Sequence, residues 1–294
     1  MKLKEVLDKT TAFFKEKKIE TPRLDAELLF AHGLKLTERI QLYLKFDQPL
    51  SEAELTTLRE LVRRRVQGEP VAYILGYRDF YGHRFEVNSS TLIPRPETEH
   101  IVEEVTKWAD DKDKEYRIID LGAGTGCIGL SLLKELPQAK LLSVDVSEGA
   151  LEVAKRNAVA LEVADRVQFV HADAGNVDLV MSAFKDFMRH DNVDVLVSNP
   201  PYIANNDPAV EENVKKFEPA SALFADDEGL ALLKKWSQAY APFLSPNSVM
   251  LMEMGMSQGS AMQNQFESLN LFNNVRVVKD LSGHDRVIYG VKHG

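Results

Sequence analysis

Cysteine is almost absent from this chain. Cys127 stands alone, which excludes an intramolecular disulfide and fits a reducing compartment. The seven histidines are scattered and none pairs at metal-ligand spacing, so no metal centre is expected. No stretch approaches the roughly 20 apolar residues of a membrane span. The opening MKLKEVLDKTTAFFKEKK lacks the apolar core of a signal peptide and reads as a charged amphipathic helix. Together these absences point to a bacterial-type protein of the cytoplasm. A surplus of basic charge is also missing. The net charge is −9, and it is unevenly spread. Residues 1–87 hold 16 Lys+Arg and 14 Asp+Glu, a balance of +2, which leaves −11 for the remainder. An acidic second half is a poor match for a surface that grips many phosphates, so stable nucleic-acid binding is not expected.

What is present divides into two patterns. The first 75 or so residues read as short helices. Leu3, Val6, Leu7, Phe13 and Phe14 mark one apolar face, Thr21-Pro22 reads as a cap followed by proline at the first helical position, and Ser51-Glu52-Ala53-Glu54 is a capping box opening a helix through Arg65. The run Arg63-Arg64-Arg65 reads as a solvated face before it reads as a binding patch. From Tyr73 to Val87 aromatics crowd around Gly76 and Gly82, which reads as a β-hairpin, either for packing between domains or for touching a substrate. Thr91–Glu99, "TLIPRPETE", is a stiff loop, after which Glu97 or Thr98 opens a helix carrying Ile101, Val102, Val105 and Trp108.

From Arg117 onward the chain alternates. Apolar strands are expected at 117–121, 140–145, 167–171, 193–198 and 247–253, with helices at about 126–135, 148–161, 227–241 and 257–269. This is the pattern of an α/β fold with a parallel sheet. Asn274–Lys279 and Arg286–Val291 flank "DLSGHD" and predict a terminal antiparallel hairpin.

Two turns carry the chemistry. "DLGAGTG" follows the first strand of the alternating region. Gly122, Gly124 and Gly126 let a backbone approach a bound cofactor closely, with Ala123 and Thr125 between them. Gly124, Gly126 and Gly129 also satisfy the dinucleotide spacing, so a nicotinamide reading stays open. Asp145 ends the second strand, where a carboxylate can accept both ribose hydroxyls of an adenosine cofactor. Asp120 is expected to organise the loop or meet the cofactor's ammonium through water, or else simply to form the turn. Cys127, at a helix start, reads as a buried packing residue rather than a reactive thiol. Asp173, followed by Ala174, stands where an adenine amino group would be met, or is an ordinary loop aspartate.

The second turn is "SNPPYI", after the apolar run Val193–Val197. Pro200 and Pro201 remove two backbone donors and fix two φ angles. The corner that remains offers carbonyls and the Asn199 amide in a stiff frame, which suits a substrate that donates hydrogen bonds, such as an NH2 group.

These motifs together resemble the Rossmann-like amino-group methyltransferases. "GEPVAYILGYRDFYG", "LIPRPETE", "EPASALFADDEGL" and "GHDRVIYG" more specifically resemble the HemK/PrmC family, which methylates the glutamine of the Gly-Gly-Gln motif in peptide chain release factors. The resemblance implies a class I fold with a mostly parallel seven-stranded sheet ending in an antiparallel hairpin. It implies a helical substrate-docking domain over 1–75, a hairpin linker over 76–90 and a methyltransferase domain over 91–294. The implied methyl donor is S-adenosylmethionine, held by Asp120, Gly122, Ala123, Gly124, Thr125, Gly126, Asp145, Asp173, Ala174 and Asn199. The implied acceptor site is Asn199, Pro200, Pro201 and Tyr202 with Arg95 and Glu97, and Asn199, Pro200 and Tyr202 carry the chemistry. Arg95 is alternatively expected to pair with Glu97 or Glu99 and pin the domain junction. Glu253 is expected near the site rim or at a helix cap. Competing acceptors are a glutamine of ribosomal protein L3 and the amino groups of adenine or cytosine in nucleic acid. One departure stands out: the family often has an aromatic residue after Asp173, and here Ala174 follows, so aliphatic residues or another loop must cover the adenine.

Overall fold

The structure, a computed structural model, describes residues 1–205 and 207–294. The chain forms two compact units: Met1–Tyr77 with Glu212–Phe217, and Arg78–Glu211 with Glu218–Gly294. Among the described residues no helix is long and apolar enough to cross a membrane.

The first unit is helical: α1 (Leu3–Glu16), α2 (Pro22–Gly33), α3 (Gln41–Leu44), α4 (Glu52–Val66) and α5 (Val71–Leu75), with the later helix α10 (Glu212–Phe217) alongside them. Leu3, Leu7, Phe14, Leu29, Phe30, Leu58 and Ile74 form its core. The capping box at Ser51 is made as expected: Glu54 N–H donates to Ser51 Oγ at 3.3 Å, and Ser51 N–H donates to the Glu54 carboxylate at 2.8 Å. Thr21 precedes Pro22, but its hydroxyl donates to Asp25 Oδ1 at 2.7 Å instead of capping the helix. The arginine run is not a free basic patch. Arg63 pairs with Glu60, Arg64 with Glu69, and Arg65 with the buried Asp25 at 2.7 Å.

The segment Tyr73–Val87 is only partly a hairpin. Tyr73–Leu75 is helical, because Gly76 adopts φ +80° and ends α5 with a left-handed turn. The strands β1 (Tyr77–Phe80) and β2 (His83–Glu86) follow. From Arg78 onward this hairpin belongs to the second unit, where Phe80 and Phe85 enter the core edge to face.

The second unit is a seven-stranded sheet with helices on both faces. Its strands are β3 (Arg117–Leu121), β4 (Lys140–Asp145), β5 (Val167–His171), β6 (Val193–Ser198) and, after the short pair β7 (Ile203–Ala204) and β8 (Phe224–Ala225), β9 (Leu244–Glu253), β10 (Phe272–Lys279) and β11 (Asp285–Lys292). The order is β10-β11-β9-β6-β3-β4-β5, with β9, β6, β3, β4 and β5 parallel and the terminal pair antiparallel. Side chains alternate across the sheet. Ile118, Leu141, Val195 and Val197 pack on one face with α6 (Glu99–Trp108), α7 (Cys127–Glu135) and α8 (Glu148–Ala160). Ile119, Leu142, Val144 and Leu196 pack on the other with α9 (Val177–Met188), α11 (Ala231–Tyr240) and α12 (Gly259–Ser268). Burial on both faces explains the near-continuous apolar strands. Helix α9 was not expected, and α11 begins later than expected, since Asp227 and Glu228 sit at φ +55° and +54° and belong to a turn.

The order reverses at β3, which pairs with β4 on one side and β6 on the other. A cleft opens at the carboxyl ends of strands where an α/β sheet reverses. Leu121 pairs in register with Ser198, and Ser198 Oγ donates to the Leu121 carbonyl at 2.7 Å. The glycine loop and the asparagine corner therefore leave the sheet side by side.

Candidate active site

A cleft of about 270 Å³ lies at those strand ends. Of the residues singled out in the sequence, Gly122, Ala123, Gly124, Thr125, Asp145, Asp173, Ala174, Asn199, Pro201 and Arg95 line it. Asp120, Gly126, Pro200, Tyr202 and Glu97 do not.

Three glycines of the loop do different work. Gly122 and Gly124 have φ of +70° and +57°. A Cβ on Gly124 would meet no atom within 4 Å, so the backbone there faces open space. Gly126, at φ +78°, instead packs against Leu130 and starts α7. Gly129 lies within α7, where a Cβ would fall 2.6 Å from Leu141 and 3.0 Å from Asp120 Oδ2. The dinucleotide spacing thus includes two glycines that serve helix packing away from the cleft.

Asp145 is nearly buried at the end of β4. Its Oδ2 accepts from Gly124 N–H and its Oδ1 from Ser147 N–H, both at 2.8 Å. Burial raises its pKa, and the backbone donors oppose that shift. Val146 N–H adds a third backbone interaction, and the carboxylate also lines the cleft. Asp120 is fully buried. Its Oδ2 accepts from Gly129 N–H at 3.0 Å, so it organises the start of α7, while its Oδ1 has no partner among the described residues. Burial pushes its pKa up to about 7. Cys127 is buried and its thiol is pushed up to about 12 by desolvation, which makes it a packing residue that also borders the cleft.

At the other wall, Asn199 Nδ2 donates to Thr98 Oγ1 at 3.2 Å. Thr98 donates in turn to Glu253 Oε2 at 2.5 Å, and Tyr202 Oη donates to Glu253 Oε1 at 2.8 Å. Glu253 is buried, which raises its pKa, while these two hydroxyls and Arg286 favour its ionised form. Burial also raises the Tyr202 phenol well above its ordinary value. The Tyr202 carbonyl accepts from Gln258 Nε2 at 3.0 Å, which ties the corner to the start of α12.

Arg95 does not pair with Glu97 or Glu99. Its Nη2 donates to the buried Glu218 at 2.5 Å, and the second oxygen of Glu218 accepts from Ile93 N–H at 3.1 Å. Glu99 accepts from Tyr81 N–H at 2.8 Å. Glu97 is half-buried outside the cleft lining. Val146, Ala172 and Ala174 supply aliphatic walls beside Asp173.

Several contributors had no motif to announce them. Trp236 of α11 lines the cleft with its ring edge 3.6 Å from the Cβ position of Gly122. Asn157 of α8 donates to the Thr125 carbonyl at 3.0 Å and accepts from Glu86 N–H at 2.7 Å, joining hairpin and glycine loop. Thr98 lies inside a motif whose charged residues carry the stronger sequence signal.

Comparison with known proteins places this arrangement. Residues 5–76 match the family model described as PrmC N-terminal domain, and residues 102–246 match Methyltransferase small domain. A methyltransferase structure from Pyrococcus furiosus superposes with a TM-score of 0.53 at 16% identity, covering 79% of this chain and 98% of that one, which speaks for the fold alone. The release factor glutamine methyltransferase of Chlorobaculum tepidum is 40% identical, over 96% of this chain and 94% of its own length. That of Koribacter versatilis is 35% identical over 99% of both chains. With near-complete relatives at this identity, the chain belongs to the release factor glutamine methyltransferase family.

Proposed function

We propose that this protein transfers a methyl group from S-adenosylmethionine to the side-chain amide nitrogen of the glutamine in the Gly-Gly-Gln motif of peptide chain release factors. The observation that carries the reading is the Asn199 amide, turned with Nδ2 to Thr98 in the wall of a cleft that also holds Asp145. The residues fit the cofactor. The open backbone at Gly124 admits close approach, the side of the Asp145 carboxylate that lines the cleft suits ribose hydroxyls, and Val146, Ala172 and Ala174 give an apolar seat for an adenine beside Asp173. Bound there, S-adenosylmethionine supplies an electrophilic methyl on a sulfonium.

The protein's own part is to orient the acceptor. A carboxamide nitrogen is a weak nucleophile because its lone pair is delocalised. Asn199 Oδ1 and the Pro200 carbonyl accept hydrogen bonds from its two N–H groups and favour a tetrahedral nitrogen. Tyr202 stands behind the cleft lining, its hydroxyl committed to Glu253, and backs the corner that meets the acceptor. Alignment of this kind is worth about 7–11 kcal/mol. Neutral acceptors suffice, because the proton leaves easily to water once the nitrogen has gained a bond. An anionic acceptor would favour the ground state as well and gain nothing. Asp173 is assigned to the adenine side of the cleft, Arg95 to its rim through Glu218, and the helical unit to docking the protein substrate. The lone buried Cys127 suits a cytoplasmic setting.

The test is labelled S-adenosylmethionine offered with three acceptors: a release factor, its Gly-Gly-Gln variant carrying Gln→Ala, and duplex DNA. Label on the intact release factor alone supports the reading. Label on DNA and none on the release factor overturns it.

A further inference from the structure

The asparagine corner works only if the Asn199 amide faces the right way. Its two ends are nearly the same shape, but one donates and the other accepts. Turned one way, it offers an oxygen to an incoming NH2 group. Turned the other way, it offers a second NH2 and repels it. Pro200 and Pro201 stiffen the backbone but cannot decide a rotation about the last side-chain bond.

The decision is made behind the corner. Thr98 is 2% exposed and Glu253 1%. A hydroxyl has a single proton, and Thr98 and Tyr202 each direct theirs at one oxygen of Glu253, so that carboxyl serves here as acceptor on both sides. The Thr98 proton is taken by Glu253 Oε2 at 2.5 Å, and Tyr202 occupies the other oxygen at 2.8 Å. Thr98 Oγ1 is left with lone pairs alone toward Asn199. The Asn199 end that meets it must therefore be the donor, as the 3.2 Å contact from Nδ2 shows. The oxygen is then free for a substrate. Polarity is handed along three groups drawn from three places: the end of β9, the turn before α6, and the tip of β6.

We propose that Thr98 and Glu253 are positioning residues which fix the Asn199 carboxamide with Oδ1 toward the acceptor amide. This rests on the glutamine-methylating reading above and adds the groups that set its geometry. Neither residue touches the reacting atoms; both act through Asn199.

The test is a double-mutant cycle in the full-length protein, with release factor and S-adenosylmethionine as substrates. Thr98→Val keeps the shape and removes the lone pairs, so kcat should fall by about tenfold, the worth of one buried hydrogen bond. Cofactor affinity by calorimetry should stay close to that of the parent, while the thermal midpoint drops because the buried Glu253 loses its Thr98 donor. Thr98→Ser should recover most of the rate. In an Asn199→Ala background, Thr98→Val should cost nothing further, because the group it orients is gone. The side-chain NH2 signals of Asn199 in a nitrogen-15 spectrum should shift in Thr98→Val and return in Thr98→Ser. Unchanged kcat and unchanged Asn199 signals in Thr98→Val would overturn the proposal. So would an equal further loss on top of Asn199→Ala. Should Thr98→Val fail to fold, Thr98→Ala carries the same expectations. The parent enzyme's choice of acceptor in the same assay reports on the function, while the ratio of variant to parent reports on the relay, so the two fail separately.

Discussion

Replacing Asp145 with alanine puts the cofactor assignment at risk. Its carboxylate spends one lone pair of each oxygen on a backbone N–H, of Gly124 and of Ser147, both at 2.8 Å. Val146 N–H also favours the carboxylate from the backbone side, and the side of Asp145 that lines the cleft is left for the two vicinal hydroxyls. Hydrogen bonds to a charged group are worth about 1.5–3 kcal/mol each. Two of them would give about 3–6 kcal/mol, but water entering the space left by the carboxylate would replace part of that. Taking about 3 kcal/mol as the net loss, S-adenosylmethionine affinity should fall by about 10²-fold, at 1.4 kcal/mol per tenfold. The loop also loses its anchor, so some of the effect arrives through Gly124. Titration calorimetry with S-adenosylmethionine measures the affinity, and release factor binding measured separately should hardly move. An unchanged cofactor affinity in a folded Asp145→Ala protein would refute the ribose assignment. A loss confined to release factor binding would place Asp145 on the wrong side of the reaction.

Asn199→Ala should lower transfer by about 10²–10³-fold, the worth of one preorganised hydrogen-bonding group, leaving a residual rate that prolonged labelling still measures, while cofactor affinity by calorimetry stays within a few fold; the contrast with Asp145→Ala separates acceptor from donor. Arg95→Ala strands Glu218 in the interior with only Ile93 N–H as donor, and should lower unfolding free energy by about 1–3 kcal/mol, discounted because Arg95 is one-third exposed. Denaturant titration checks it, and Arg95→Ala with Glu218→Gln should be less damaging than Arg95→Ala alone. Asp120 gives a pH signature. Its folded pKa of about 7 lies above the usual 3.8, so between those values the folded state binds more protons than the unfolded one, and stability falls as pH rises through that window. Asp120→Asn removes this component, so its melting temperature relative to the parent should rise from pH 4 to pH 8; a constant difference would contradict the assignment.

How much of this was legible depended on whether local sequence carried the cause. The strands were readable because burial on both faces demands unbroken apolar runs, as in Val193–Val197. The glycine loop and the diproline corner were readable because backbone geometry there is set by the residue types themselves. Helix α9 carries the required spacing in Val180, Met181, Phe184 and Met188, but it follows Ala174-Gly175-Asn176, which reads as loop and masks the start of the helix. The relation between charges was the part least available. Arg95 has acids two and four residues away, and local reasoning pairs it with them. The structure pairs it with Glu218, 123 residues on, because a buried carboxylate needs a cation more than an exposed one does. Thr98 shows the same limit in sharper form. Among the charges of "RPETE" it is the least conspicuous residue, yet only it is buried against both Asn199 and Glu253. A single hydroxyl proton decides which end of Asn199 faces the cleft, and that decision depends on where β9 brings its last residue. Sequence can announce which groups perform chemistry; the polarity in which they are held is a property of three distant segments meeting, and it enters only with the fold.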